Sequence, residues 1–218
     1  MQTTATTSLS LSKPLLRGHF HQAAFFFALG ACALLLAKTH DTRSLLATLI
    51  YSLGLTALFG ISALYHRPQW NPAARMWMKR LDHAAIFIMI AGTGTPLSLL
   101  GLPGADGRTL MLYFWLAAGL GVIQCLFWVN APKWISAILY VVVGWLALPY
   151  LSEFKSTLGV VSVALLLAGG IVYTVGALVY AFKRPNPWPK VFGYHEIFHV
   201  LVIIAAVLHF IVVYRLLS

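Results

Sequence analysis

Seven apolar runs, at 20–37, 45–65, 84–102, 110–129, 134–151, 158–182 and 192–217, leave this chain little choice of fold. Each is bounded by charges, proline or glycine, and each comes close to the ~20 residues a helix needs to cross a bilayer. The connections are short, so no soluble domain fits between any two runs. With 60% of its 218 residues hydrophobic and only 9% charged, the chain holds more apolar surface than a soluble domain of this length can hide. The sequence predicts an all-α integral membrane protein: a seven-transmembrane helix bundle forming one domain over 14–218. A Thr/Ser-rich tail at 1–13, expected to be disordered, precedes it. Lys13 and Arg17 ahead of 23–37 also suit a signal peptide. No small-x-small cleavage site follows, because 36–40 turn polar abruptly, so a retained first span is expected. No internal repeat is visible.

Charge then orients the bundle. The formal net charge is +10. On a membrane protein that excess marks loops facing anionic lipid, not a nucleic-acid footprint. Lys13, Arg17, Arg67, Arg75, Lys79, Arg80, Lys133, Lys183, Arg184 and Lys190 fall on the N-terminal side of the runs, against Lys38, Arg43, Arg108, Lys155 and Arg215 on the other. The bias puts the N-terminus in the cytoplasm and, with seven spans, the C-terminus outside. Trp70, Trp77, Trp128, Trp134 and Trp188 gather at the same boundary, where interfacial aromatics belong. A multi-pass protein of the cell inner (plasma) membrane is expected. Cys32 and Cys125 sit in apolar runs without a paired-cysteine pattern and read as small core residues.

The last run opens with His195-Glu196-x-x-His199. Histidines at i and i+4 stack one turn apart on one helix face and can reach one ion. Ionisable residues at that depth are costly and point to function. Topology brings two further clusters to the same level: Ser62 to His66 at the end of the second helix, and Asp82-His83 at the start of the third. Three imidazoles with an open position make a catalytic-type zinc site. The candidate ligands are His66, His195 and His199. Ser62, one turn before His66, is placed to orient a water or substrate oxygen, and Asp82 to shuttle a proton. The pattern also matches the zinc-protease helix, in which the glutamate is the base. Here it leads into an apolar span, and Asp82 is the better candidate. His83 points away from the ligand face. His209 reads as a buried, hydrogen-bonded histidine, and His19, His21 and His40 as loop or interface residues. The bland alternative is that His195 and His199 merely snorkel at an interface.

Several motifs in order resemble the hemolysin III family. They are Arg17-Gly18 before the first run, Ser62 to Pro68, Leu81 to Ile86, Ala91 to Pro96, and His195 to His199. This is the bacterial branch of the progestin and adipoQ receptor (PAQR) superfamily, related more distantly to alkaline ceramidases. The resemblance covers nearly everything from Pro14 onward. It implies a seven-helix bundle with a cytoplasmic N-terminus, and a Zn2+ held by His66, His195 and His199 with Ser62 and Asp82 beside it. Gly94 departs from the pattern, since relatives often carry a bulkier residue there.

Three functions compete. The first is a zinc-dependent, ceramidase-like hydrolase acting on a lipid amide or ester at the cytoplasmic side, with membrane lipids as partners and a lipid substrate in the bundle cavity. The second is a non-enzymatic regulator of membrane fluidity or energetics with a structural zinc. The third is a cytolytic pore former, poorly supported because no segment is amphipathic enough to insert separately. A retinal protein is excluded by the absence of lysine from the last run, and a zinc exporter is disfavoured by the lack of carboxylates along a membrane path.

Overall fold

The computed structural model describes residues 13–217. The tail expected over 1–13 therefore lies, but for Lys13, outside the described residues. Seven α-helices follow in order: α1 (His19–Ala37), α2 (Thr42–His66), α3 (Pro72–Gly101), α4 (Gly104–Phe127), α5 (Lys133–Gly144), α6 (Leu151–Phe182) and α7 (Tyr194–Leu216). No β-sheet forms among the described residues. Local chemistry sets the starts of α2 and α3. The Asp41 carboxylate accepts from the backbone N–H groups of Arg43 and Ser44, at 2.8 and 3.0 Å. Those hydrogen bonds hold its carboxyl below the usual carboxylate range. Asn71 accepts from Ala74 N at 2.8 Å, with Pro72 in the first turn, where its missing N–H costs nothing.

The helices pack through small and aromatic side chains. One buried cluster joins α1, α2, α3 and α7 through Cys32, Leu35, Tyr51, Leu55, Met89 and Val202. A second joins α3 to α7 through Phe87, Leu110, Phe114, Phe154 and Val212. Cys32 and Cys125 are buried free thiols, as the sequence suggested. Phe27, Leu120, Phe127 and Phe182 point outward and exposed, which is tolerable only against an apolar solvent. Gly94 explains its own smallness: a Cβ there would overlap the Phe114 ring of α4, so close helix crossing requires the glycine.

By length and composition, six stretches can cross a membrane: α1, α2, α3, α4, the fifty residues of Lys133–Phe182, and α7. The seven runs expected from sequence are thus met in part. The run expected at 134–151 yields a helix of only 12 residues, about 18 Å long at 1.5 Å per residue. It ends at Gly144, ahead of a short 3₁₀ turn (Leu148–Tyr150) containing Pro149. Proline has no N–H to continue an α-helical ladder. A second break follows at Gly159, whose backbone (φ 78°, ψ 165°) interrupts α6. From Lys133 to Thr157, across the first of these breaks, the chain runs from one end of the bundle to the other. Lys133 Nζ donates to the Tyr194 hydroxyl at 3.1 Å, next to the start of α7. Thr157 Oγ1 donates to Gly101 O at 2.7 Å, at the far end of α3.

Candidate metal centre and cavity

At the end of the bundle where α2 and α4 finish and α3, α5 and α7 begin, three imidazoles converge. One nitrogen each from His66, His195 and His199 lies within 4.8 Å of the others. His66 comes from the last turn of α2, and the other two from the first turns of α7, on one face as their spacing requires. His66 and His199 are buried. His66 Nε2 and His195 Nε2 stand 3.1 Å apart. Two nitrogens bound tetrahedrally at about 2.0–2.1 Å from zinc would stand about 3.3 Å apart. His199 Nδ1 has no hydrogen-bond partner, and a buried polar atom rarely stays unsatisfied. Neutral imidazoles at this spacing fit a borderline cation such as zinc, so the donor set can hold one.

Asp82 and Ser62 face the same space. Asp82 Oδ2 lies 3.8 Å from His66 Nε2, beyond direct hydrogen-bond distance. Ser62 is buried one turn before His66. All five side chains singled out by sequence line a single cavity of about 600 Å³. From the histidines it extends between α3, α5, α6 and α7 to Leu166, Tyr173 and His209.

The remaining histidines and the glutamate fall differently. Glu196 is fully buried and does not line the cavity. Its Oε1 pairs with Arg17, and its Oε2 accepts from Gly193 N at 2.8 Å, capping α7. A carboxylate held on both oxygens is not free to serve as a base. The protease reading of this motif therefore has no geometric support. His83 stands outside the cluster, with Nδ1 on Lys79 O at 2.8 Å. His209 places Nε2 on Leu166 O at 3.2 Å and also lines the inner end of the cavity.

His21 overturns its sequence expectation. Expected at a loop or interface, it lies inside α1 at 2% exposure. Its ring stacks on His199 with centroids 3.9 Å apart and planes 10° apart, and neither ring nitrogen has a partner. The missed signal was a histidine inside an otherwise apolar helix. Arg17 was missed too, because nothing in sequence pairs it with a residue near the opposite terminus. Gly18 lets this corner close. Its φ of +82° and a position where a Cβ would fall 2.7 Å from His66 Cβ both exclude larger residues.

These features define a polytopic helical membrane protein with a buried cluster of three imidazoles at the head of a deep cavity. The chain belongs to the haemolysin-III related family, whose sequence profile matches residues 9–210. It is 34% identical over 168 residues to Hemolysin-3 of Bacillus cereus, covering 77% of this chain and 74% of that protein. It is 31% identical over 154 residues to the Hemolysin-3 homolog of Bacillus subtilis (strain 168), covering 71% and 69%. A more distant likeness, 24% over 192 residues, reaches the human monocyte to macrophage differentiation factor, covering 86% and 77%. The motif resemblance to the hemolysin III and PAQR group is thereby borne out. The chain is a multi-pass membrane protein, and an inner-membrane location fits its bacterial relatives.

Proposed function

We propose that this protein is a zinc-dependent hydrolase of a lipid amide or ester, working at the cytoplasmic side of the bilayer. One observation carries the reading: three imidazoles, a carboxylate and a hydroxyl meet at the head of an apolar-walled cavity inside a membrane bundle. His66, His195 and His199 would hold the ion. A zinc there would supply Lewis acidity to polarise the scissile carbonyl and activate a water. Asp82, 3.8 Å from the nearest imidazole nitrogen of the cluster, takes the proton released by that water and returns it to the leaving amine or alcohol. Ser62 donates its hydroxyl hydrogen bond to the carbonyl oxygen as charge develops there. The cavity beyond, reaching His209, accepts the acyl chain and excludes bulk water from it.

The reading takes the single bundle of 14–218 as spanning seven times with a cytoplasmic N-terminus. The passage from Lys133 to Thr157 between opposite ends of the bundle supports the count, and the Lys/Arg bias supports the direction. The test is release of fatty acid from a panel of acyl-amide and acyl-ester lipids by zinc-loaded protein, lost in His195→Ala and in Asp82→Ala. Zinc-loaded protein inert on the whole panel would sink the reading.

A second reading is favoured by the origin of the ligands. They come from α2 and α7, far apart in sequence, so a bound ion would also tie the bundle together. A regulator of membrane fluidity with structural zinc follows if a deletion strain is rescued equally by wild type and Asp82→Ala.

A further inference from the structure

The mouth of the cavity carries a charge imbalance that the chemistry above does not use. Lys13, Arg17, Arg75, Lys79 and Lys133 all line it, and Asp82 is the one acidic residue in its wall. These cations come from the segment before α1, the first two turns of α3 and the first residue of α5, so the fold gathers them. Only Arg17 has a carboxylate partner, Glu196. Lys13 Nζ donates to Arg67 O at 3.3 Å, Lys79 Nζ to Asn130 Oδ1 at 3.0 Å, and Lys133 Nζ to the Tyr194 hydroxyl at 3.1 Å. The Arg75 guanidinium faces the Tyr65 ring at 5.8 Å. Neutral partners fix the positions of these groups without cancelling their charge. The Lys13 ammonium is accordingly held below its usual value, first by partial burial and then by the charges of Arg75, Arg17 and Arg67.

General attraction of basic loops to anionic lipid accounts for cations on the outer rim of such a bundle. It suits Lys183 and Arg184, which are exposed and do not line the cavity. It does not account for cations converging on one opening. Like charges brought together are unfavourable unless an anion joins them, and lysine and arginine donors in this arrangement suit phosphate oxygens. Behind them the wall turns apolar through Ile90, Leu166, Leu167 and Val202. A ring of positive charge opening into an apolar interior is complementary to an anionic amphiphile.

We propose that Lys13, Arg75, Lys79 and Lys133 bind a phosphate group at the cavity mouth, the apolar interior taking the acyl chain when that phosphate belongs to a lipid. The inference rests on this cavity being the lipid site, but not on a metal being bound. It narrows the substrate class to phosphate-bearing lipids.

The test is binding to full-length protein in uncharged detergent, by calorimetry. Three probes are used: 1-oleoyl lysophosphatidic acid, the uncharged 1-oleoyl glycerol with the same chain, and inorganic phosphate. The lysophosphatidic acid should bind at least about tenfold more tightly than the glycerol. That preference should collapse in Arg75→Gln/Lys79→Gln, return in Arg75→Lys/Lys79→Arg, and survive in Lys183→Gln/Arg184→Gln. Equal binding of charged and uncharged probes overturns the proposal, as does an equal loss in the Lys183/Arg184 variant. Inorganic phosphate that displaces the lipid at comparable concentration assigns the site to a free ion; failure to displace it assigns the site to the lipid. Running the series on wild type and on His66→Ala separates the two readings. A preference that persists without zinc stands alone, and zinc without a preference leaves the metal site and removes the phosphate site.

Discussion

The two ends of the bundle use their polar groups in different ways. At the end away from the histidines, Asp41 caps α2, the Arg43 guanidinium donates to Leu99 O, and Arg215 donates to Ser162 Oγ at 3.0 Å. Each of these charges is spent on holding a helix end or a helix pair. At the other end Arg17 and Glu196 close on each other as an ion pair. Around them stand the three converging imidazoles, His21 with both nitrogens unpartnered, and four cations without a carboxylate. Buried polar groups left unpaired cost about 1–3 kcal/mol each. Cations at both ends donate to neutral groups, so the ends differ in their histidines: buried imidazole nitrogens stay without partners beside the cavity. Unpartnered groups mark the candidate site, while the paired charges beside it, Glu196 above all, hold the fold.

That contrast can be broken at several points. The largest effect is expected from the ligands. Purified wild type should hold about one zinc per chain, and His66→Ala, His195→Ala and His199→Ala should each lose it, measured by elemental analysis. No metal in fresh wild type would remove the functional side of the comparison. Next, Arg17→Ala leaves Glu196 buried without its counter-charge and should lower stability by about 3 kcal/mol, seen as a drop in thermal midpoint in detergent. Gly18→Ala forces a side chain into a left-handed backbone beside His66 and should cost about 1–2 kcal/mol, with weaker zinc retention as the local signature. Arg43→Ala at the far end removes one exposed hydrogen bond to a carbonyl and should cost under about 1 kcal/mol. If Arg43→Ala proved as damaging as Arg17→Ala, the two ends would not differ in the way described.

The site was legible in sequence to the extent that local spacing and topology express it. His195 and His199 declare one face by their i, i+4 spacing, and an alternating bundle of apolar runs must bring His66, Ser62 and Asp82 to their level. Other features were hidden for identifiable reasons. His21 and Arg17 lie at the start of α1, and their partners His199 and Glu196 lie nearly the whole chain away. No periodicity links positions that meet only after α1 packs on α7. The run at 134–151 looked like the others because composition does not register a break. Pro149 and Gly159 interrupt the helix by removing a donor and by admitting a left-handed φ.

Hydropathy and helical spacing act over a few turns, so a helical membrane bundle, its seven apolar runs and the face carrying two imidazoles are legible in the chain alone. Helix packing, by contrast, makes Glu196 a locked ion-pair partner and not a base. It also decides that His21 stacks behind the cluster, and that cations from three segments share one opening. Those outcomes depend on which helices become neighbours, and the packing of whole helices against one another sets that.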